Sequence, residues 1–324
     1  MNNNILGQKW THNYYLHLTA LGDNLTLQLQ NGDGNIIYFR KSDTTYYPDA
    51  ISGDHSWIVK NANGSYTRTA KDGTVHEFDN NGLLSSIRDR NGKTTSLTYS
   101  SGNLSSITDQ NGRITSITTT SGRITAITDP MGRTYTLTYT GSFLTAITDP
   151  LGNARQFTYD NSGKMLSKRD PLNRQTTYTY DSTGKLLTAT DPEGKTRTIN
   201  YNQSGSTGLT EKDGGIRTYT YDPVFTVITA KTDPLGYTTS YTYDLKRNLI
   251  KTVAPDGSVI TNTYDANNNL TTVTDQLGNI AHYTYNSLNL VSGCGGLGCL
   301  DRKQGFISEK LYSVNVHAAA CFCG

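Results

Sequence analysis

The stretch Asp149-Pro150-Leu151-Gly152-Asn153-Ala154-Arg155-Gln156-Phe157-Thr158-Tyr159-Asp160-Asn161-Ser162-Gly163 decides the fold. It opens with Asp-Pro-x-Gly, in which Asp accepts backbone amide hydrogens, Pro presets φ at the second turn position and Gly suits the last. Ten residues after the Asp stands Tyr159, and a second Asp- and Gly-bearing turn follows it at once. Between the two turns there is room for one strand of about six residues. In the equivalent strands Tyr178-Thr179-Tyr180, Tyr219-Thr220-Tyr221 and Tyr241-Thr242-Tyr243, the two tyrosines lie two apart and share one face.

The same frame recurs along the chain. Asp129 is followed by Tyr139, Asp89 by Tyr99, Asp170 by Tyr180, Asp191 by Tyr201, Asp233 by Tyr243 and Asp275 by Tyr285, always ten residues on. Glu211 with Tyr221 and Ala254 with Tyr264 keep the spacing without the Asp, and the repeat at Asp109 keeps Gly112 but carries Thr119 in place of Tyr. These ten anchors fall 20 to 22 residues apart. Six of the eight prolines directly follow an anchor: Pro130, Pro150, Pro171, Pro192, Pro234 and Pro255. Where Pro is missing, Asn91-Gly92 and Asn111-Gly112 provide another strong turn pair. Short turns make neighbouring strands antiparallel. The expectation is therefore an all-β chain, an antiparallel meander of tandem hairpins. The return strands alternate less strictly: strict alternation puts Leu144 and Ile147 on opposite faces and leaves apolar area on both sides of the sheet.

Composition agrees. Among 324 residues there are 22 Tyr, 31 Gly and roughly fifty Thr, with 34% hydrophobic and 17% charged residues. Mean hydropathy is -0.54 and the pI is about 8.2. A net charge of +2 argues against a nucleic-acid partner. No apolar run approaches the ~20 residues needed to span a bilayer as a helix. Met1 to Leu6 show no signal-peptide pattern, which leaves retention, another export route or a missing start open.

The residues Tyr159 to Leu166 and Tyr180 to Leu187, each followed by an Asp-Pro-x-Gly or close variant, resemble the tyrosine-aspartate (YD) repeats of the Rhs family, found also in insecticidal toxin complexes and teneurins. The resemblance covers roughly residues 67 to 290, and Trp10-Thr11-His12-Asn13-Tyr14 resembles the start of the β-rich region that precedes such repeats. It implies three regions: 1–66 β-rich, 67–290 repeats, and 291–324 a cysteine-containing tail in which the pattern lapses. It also implies a curved spiral sheet, part of a β-shell that encloses a toxin segment in an exported or cell-surface protein. Its partners would be the remainder of the shell or the payload of a longer protein. The family's self-cleaving core has no counterpart here, so no residue inherits that role. About 20 strands at ~4.8 Å spacing make a ribbon ~95 Å wide, which closed on itself gives a tube only ~30 Å across. The expectation is an arc or tight coil whose open strand edges can self-associate.

Other constellations point to less. The aspartates recur at turn position one, where turn stabilisation explains them better than acid/base catalysis. Tyrosine rows could stack on sugar rings, giving a carbohydrate-binding alternative, but packing between hairpins accounts for them more simply. His12, His17, His55, His76, His282 and His317 show no ligand spacing. Asn31-Gly32-Asp33-Gly34-Asn35 mimics a calcium loop without its distal Glu and reads as a hairpin turn. Cys294, Cys299, Cys321 and Cys323 are spaced unlike common zinc sites. The expectation is no catalytic, cofactor or metal site: a structural module.

Overall fold

The computed structural model describes residues 5–8, 10–49, 52, 54–203, 205–286 and 291–296. Among them every regular element is a β-strand, and there are 28. All the pairings between these strands are antiparallel, and nearly all join sequence neighbours (for example β13 to β14 and β14 to β15, defined below). The expected fold class, an all-β antiparallel meander, is the one observed.

The chain divides into two compact units, one running to Gly194 and one from Lys195. The first begins with β1 (Leu16–Ala20), β2 (Thr26–Asn31), β3 (Ile36–Ser42), β4 (Thr45–Pro48), β5 (Trp57–Lys60) and β6 (Tyr66–Thr69). It continues through β7 (Val75–Phe78), β8 (Leu84–Arg88), β9 (Thr94–Ser100), β10 (Asn103–Thr108), β11 (Ile114–Thr120) and β12 (Arg123–Thr128). Then come β13 (Thr134–Thr140), β14 (Phe143–Thr148), β15 (Ala154–Tyr159), β16 (Met165–Arg169), β17 (Gln175–Tyr180) and β18 (Leu186–Thr190). The Asn31–Asn35 loop is the β2–β3 turn, closed by Asn31 N–H to Asn35 C=O at 2.8 Å, as expected of a hairpin.

This unit curls on itself. β1 pairs with β2, yet Leu18 N–H also donates to Gly82 C=O at 2.9 Å, and His17 is bridged to Leu83 at the head of β8. The approach is so close that a Cβ on Gly82 would lie 1.7 Å from Leu18 O, and Gly82 has a φ of 78°. Inside the curl, Leu18, Leu27, Leu29, Phe39, Ile58, Phe78 and Leu84 form a core in which each is at most 2% exposed. A second core, of Leu6, Ile124, Leu137, Leu144 and Phe157, lies along β12 to β15.

The return strands correct one expectation. Leu144 and Ile147 share a face, because Tyr139 opposes Leu144 while Leu137 opposes Ile147, and Leu137 and Tyr139 are two apart. Thr145 is the extra residue of a β-bulge between them, and one added residue inverts the alternation. The same register shift recurs in the Tyr-bearing hairpins, at Thr158/Tyr159, Thr179/Tyr180, Thr242/Tyr243 and Thr263/Tyr264 among others. Apolar area on β12 to β15 thus gathers on one face, while Thr136, Thr138 and Thr134 stay exposed on the other. In the first unit, where the bulged residue is Ser or Thr, its hydroxyl donates across the hairpin: Ser85 to Glu77 C=O, Ser105 to Thr98 C=O, Thr125 to Thr118 C=O and Thr145 to Thr138 C=O, at 3.0, 3.0, 3.4 and 3.2 Å.

The second unit repeats the pattern with β19 (Thr196–Gln203), β20 (Ser206–Thr210), β21 (Ile216–Tyr221), β22 (Ile228–Thr232) and β23 (Thr238–Tyr243). β24 (Leu249–Val253), β25 (Val259–Tyr264), β26 (Leu270–Thr274), β27 (Ile280–Tyr285) and β28 (Val291–Gly295) complete it. Its strand side chains are mostly half-buried, and Asn248 and Asn269 are among its few buried residues.

Candidate functional site

Each repeat offers two sets of chemistry-bearing residues, the turn aspartates and the strand tyrosines, and the structure engages both. Asp149 Oδ1 accepts from Leu151 N–H at 2.9 Å and Asn153 N–H at 2.8 Å, while Asp149 Oδ2 accepts from Asn153 Nδ2 at 2.9 Å. Gly152 N–H closes the turn onto Asp149 C=O at 3.0 Å. Asp160, in the turn after the tyrosine, does the same with Ser162 and Lys164 amides. These donors hold the carboxyls below the usual carboxylate range: the Asn153 side chain foremost for Asp149, the Arg113 guanidinium for Asp109, the Lys164 amide for Asp160. A carboxylate held ionised by its own turn is a poor proton donor near neutral pH.

The tyrosines are gripped by the repeat before them. Tyr99 Oη donates to Leu84 C=O, Tyr139 to Ile124, Tyr159 to Leu144, Tyr180 to Met165, Tyr264 to Leu249 and Tyr285 to Leu270, in every case fifteen residues back at 2.7 to 3.0 Å. These carbonyls sit where the hairpins splay. β12 and β13, for instance, are laddered only at Ala126–Thr128 with Thr134–Thr136, so Ile124 lies beyond the ladder. The hydroxyl supplies the donor that the missing strand pairing would have given.

A second contact reaches three of these rings from the residue before that carbonyl. Arg123 lies over Tyr139, 5.4 Å from its centroid, and Lys164 lies over Tyr180 at 5.7 Å. Phe143 stacks on Tyr159 with centroids 5.1 Å apart and 17° between planes. The offset is sixteen residues each time (123 to 139, 143 to 159, 164 to 180). Arg, Lys and Phe share only an ability to sit against the face of a ring. That is why reading residue types in sequence misses this position. Burial pushes the hydroxyls of Tyr99, Tyr139 and Tyr159 up to about 12.

A third feature that sequence reasoning missed is the path of the amino-terminal segment, which crosses the tyrosine-bearing face of the first unit. Ile124 N–H donates to Ile5 C=O at 2.8 Å, and Gln8 N–H donates to Ser142 C=O at 2.8 Å. Trp10 Nε1 donates to Tyr159 Oη at 2.7 Å, and its ring meets Phe157 edge-on at 4.9 Å. Gly7 passes so near that a Cβ there would be 3.1 Å from both Leu144 N and Ser142 O. The only advance signal was Trp10 itself, an indole on a stretch otherwise without apolar periodicity.

The histidines fall on separate elements: His12 ahead of β1, His17 in β1, His55 ahead of β5, His76 in β7 and His282 in β27. Among the described residues no three His, Cys, Asp or Glu side chains come together as metal ligands. Burial lowers His12 and His76 from 6.5 to about 4. Cys294 is disulfide-bonded; Cys299, Cys321, Cys323 and His317 lie outside the described residues. No helix among the described residues is long and apolar enough to cross a membrane.

Tandem antiparallel hairpins, a bulge at each tyrosine and aspartate-closed turns at both ends define a YD-repeat protein. The chain belongs to the teneurin YD-shell family, whose model matches residues 66–233, and the RHS repeat model matches residues 228–259 and 264–293. No curated protein matches significantly. Solved structures similar to it include TcdB2-TccC3, at 18% identity and a TM-score of 0.46, covering 84% of this chain and 17% of that one. The TcdB2-TccC3-Cdc42 structure matches at 17% identity and a TM-score of 0.45, with coverage of 84% and 17%. The Tc holotoxin pore of Photorhabdus luminescens matches at 16% identity and a TM-score of 0.40, with coverage of 88% and 22%. The chain thus spans about a fifth or less of the length of these proteins.

Proposed function

We propose that the chain is a wall segment of a toxin-associated repeat shell: a non-catalytic module of an exported protein that isolates another segment sterically. The observation that carries this reading is the grip on the repeat tyrosines, hydroxyl on a carbonyl fifteen residues back and, for Tyr139, Tyr159 and Tyr180, ring against a side chain sixteen back. Together with the aspartates closed into their turns, it leaves the repeated polar groups engaged in holding backbone. Membership of the YD-shell family supports it. Its partners are the remainder of the shell or an enclosed payload of a longer protein, and its setting is secreted or at the cell surface. In isolation its free strand edges favour self-association, which sedimentation at rising concentration measures.

The test is substitution of this chain for an equal run of repeats in a full-length family member, followed by protease digestion. A wall segment keeps the enclosed segment protected. Loss of protection in a protein that still folds sinks the proposal. The carbohydrate-binding alternative draws on the half-buried tyrosines of the second unit. Saturable glycan binding abolished by Tyr243→Ala would favour it instead.

A further inference from the structure

The third position of the aspartate-led turns is not fixed by the turn itself. Asn91, Asn111 and Glu193 fill it on some repeats, and all three are exposed. On three successive repeats it holds Met131, Leu151 and Leu172, which are 79%, 88% and 74% exposed. The prolines before them, Pro130, Pro150 and Pro171, are exposed too. Two strands separate one such turn from the next, so these tips stand about 10 Å apart along one rim of the first unit. A run of large apolar side chains, held out by closed turns and bounded by the polar tips Asn111 and Glu193, is the pattern of a contact surface. In the second unit Leu235 and Leu277 are separated by Asp256, and no such run forms.

We propose that this ridge docks on the same ridge of a second copy of the chain, about a two-fold axis at Leu151. The order of the tips argues for that occupant. On one side of Leu151 stand Met131 and then Asn111, on the other Leu172 and then Glu193, at intervals of 20 and 21 residues. The axis therefore sets Leu151 on its own counterpart and Met131 on the second copy's Leu172, apolar against apolar throughout. It also brings Glu193 opposite the second copy's turn at Asn111, which carries Arg113. Arg113 keeps 65% of its side chain exposed while bonded to Asp109, so opposite charges meet at both ends of the contact. Arg133 and Arg174 face each other as well, but Asp129 and Asp170 neutralise them within their own turns, at 2.6 and 2.7 Å. A contact of this symmetry closes at two copies, whereas pairing of open strand edges runs on. With three tips from each copy the interface is small, and the dimer is weak and reversible.

The experiment is sedimentation equilibrium of the full chain up to about 1 mM, the range in which weak association is read. Association that stops at a dimer is expected. Leu151→Asp sets two carboxylates against each other on the axis and should weaken the dimer at least about tenfold. Met131→Lys and Leu172→Asp should each weaken it, and the double variant should bind more tightly than either, because opposite charges then face each other. These side chains are exposed, so the variants keep the fold, which circular dichroism checks. A monomer at every concentration, growth past two copies, undiminished association of L151D, or a double variant weaker than both single ones would overturn the proposal.

Discussion

Trp10 and Tyr159 are joined by a hydrogen bond of 2.7 Å, indole N–H to phenol oxygen, across 149 residues of sequence. Tyr159 Oη passes the interaction on by donating to Leu144 C=O, also at 2.7 Å. One side chain of the amino-terminal segment is thereby tied to the internal grip of a repeat. Trp10→Phe, which keeps a ring and loses the donor, should cost about 1 kcal/mol. Trp10→Ala should cost about 3 kcal/mol. Urea denaturation measures both, and hydrogen exchange at the Ile124 amide, which is bonded to Ile5, should accelerate more in the alanine variant than in the phenylalanine one.

The grip itself can be dissected at Tyr139. Tyr139→Phe removes only the bond to Ile124 C=O and should destabilise by about 1 kcal/mol. Tyr139→Ala also empties the space beside Leu144 and Leu137 and should cost about 3 kcal/mol. Arg123→Ala should cost about 0.5–1 kcal/mol through the lost cation–π contact. A double-mutant cycle between Arg123 and Tyr139 should return a coupling of that order, and strict additivity would show that the guanidinium contributes nothing to the ring.

Two glycines of nearly equal backbone geometry should respond differently to alanine. Gly82 and Gly92 have φ of 78° and 83°. A Cβ at Gly92 meets nothing within 4 Å, whereas one at Gly82 would strike the Leu18 carbonyl. Gly92→Ala should therefore cost about 1 kcal/mol, the left-handed conformation alone. Gly82→Ala must also part β1 from the head of β8 and should cost about 3 kcal/mol or more. Thermal melts of the two single variants make the comparison.

Stability should fall on both sides of neutrality. His12 and His76 are lowered to about 4 by burial, so the unfolded chain gains protons first and stability declines as pH falls below 6.5. The depressed turn aspartates, such as Asp109 and Asp149, add a further loss below their ordinary 3.8. On the alkaline side Tyr99, Tyr139 and Tyr159 are raised to about 12. Their contribution is complete below pH 10, where the unfolded chain begins to ionise, and gone once pH passes 12. Chemical-denaturation midpoints across pH should trace this dome, and absorbance titration should show a class of phenols ionising above the rest.

How far the fold could be read in advance depends on which residues carry the rule. Asp149, Pro150 and Gly152 act through their own backbone within five residues, so their pattern reveals the turns directly. Tyr159 acts across a strand, and its spacing from Asp149 reveals a strand but hides the partner at Leu144. The bulge at Thr145 inverts the face of everything before it, which is why Leu144 and Ile147 seem to disagree when strict alternation is assumed. Arg123, Phe143 and Lys164 do one job with unrelated side chains, so no residue-type pattern exposes them. The path of residues 5–10 depends on contacts more than a hundred residues distant, and local propensity contains no trace of it.

The grip of each tyrosine on the repeat before it has a consequence for how such arrays change length. Each gripped ring finds its carbonyl inside one period, and Tyr139, Tyr159 and Tyr180 find their stacking partners there too, so a whole period can be duplicated or lost and such a junction still finds its mate. An insertion between a ring and its carbonyl fifteen residues back puts the two out of phase, whereas the turn after the tyrosine absorbs one residue without loss, as between Tyr139 and Leu144 and between Tyr159 and Met165. Length is therefore free to drift in quanta of one repeat, coupled only to nearest neighbours, and a gene encoding it can grow by unequal crossover without redesigning any interface.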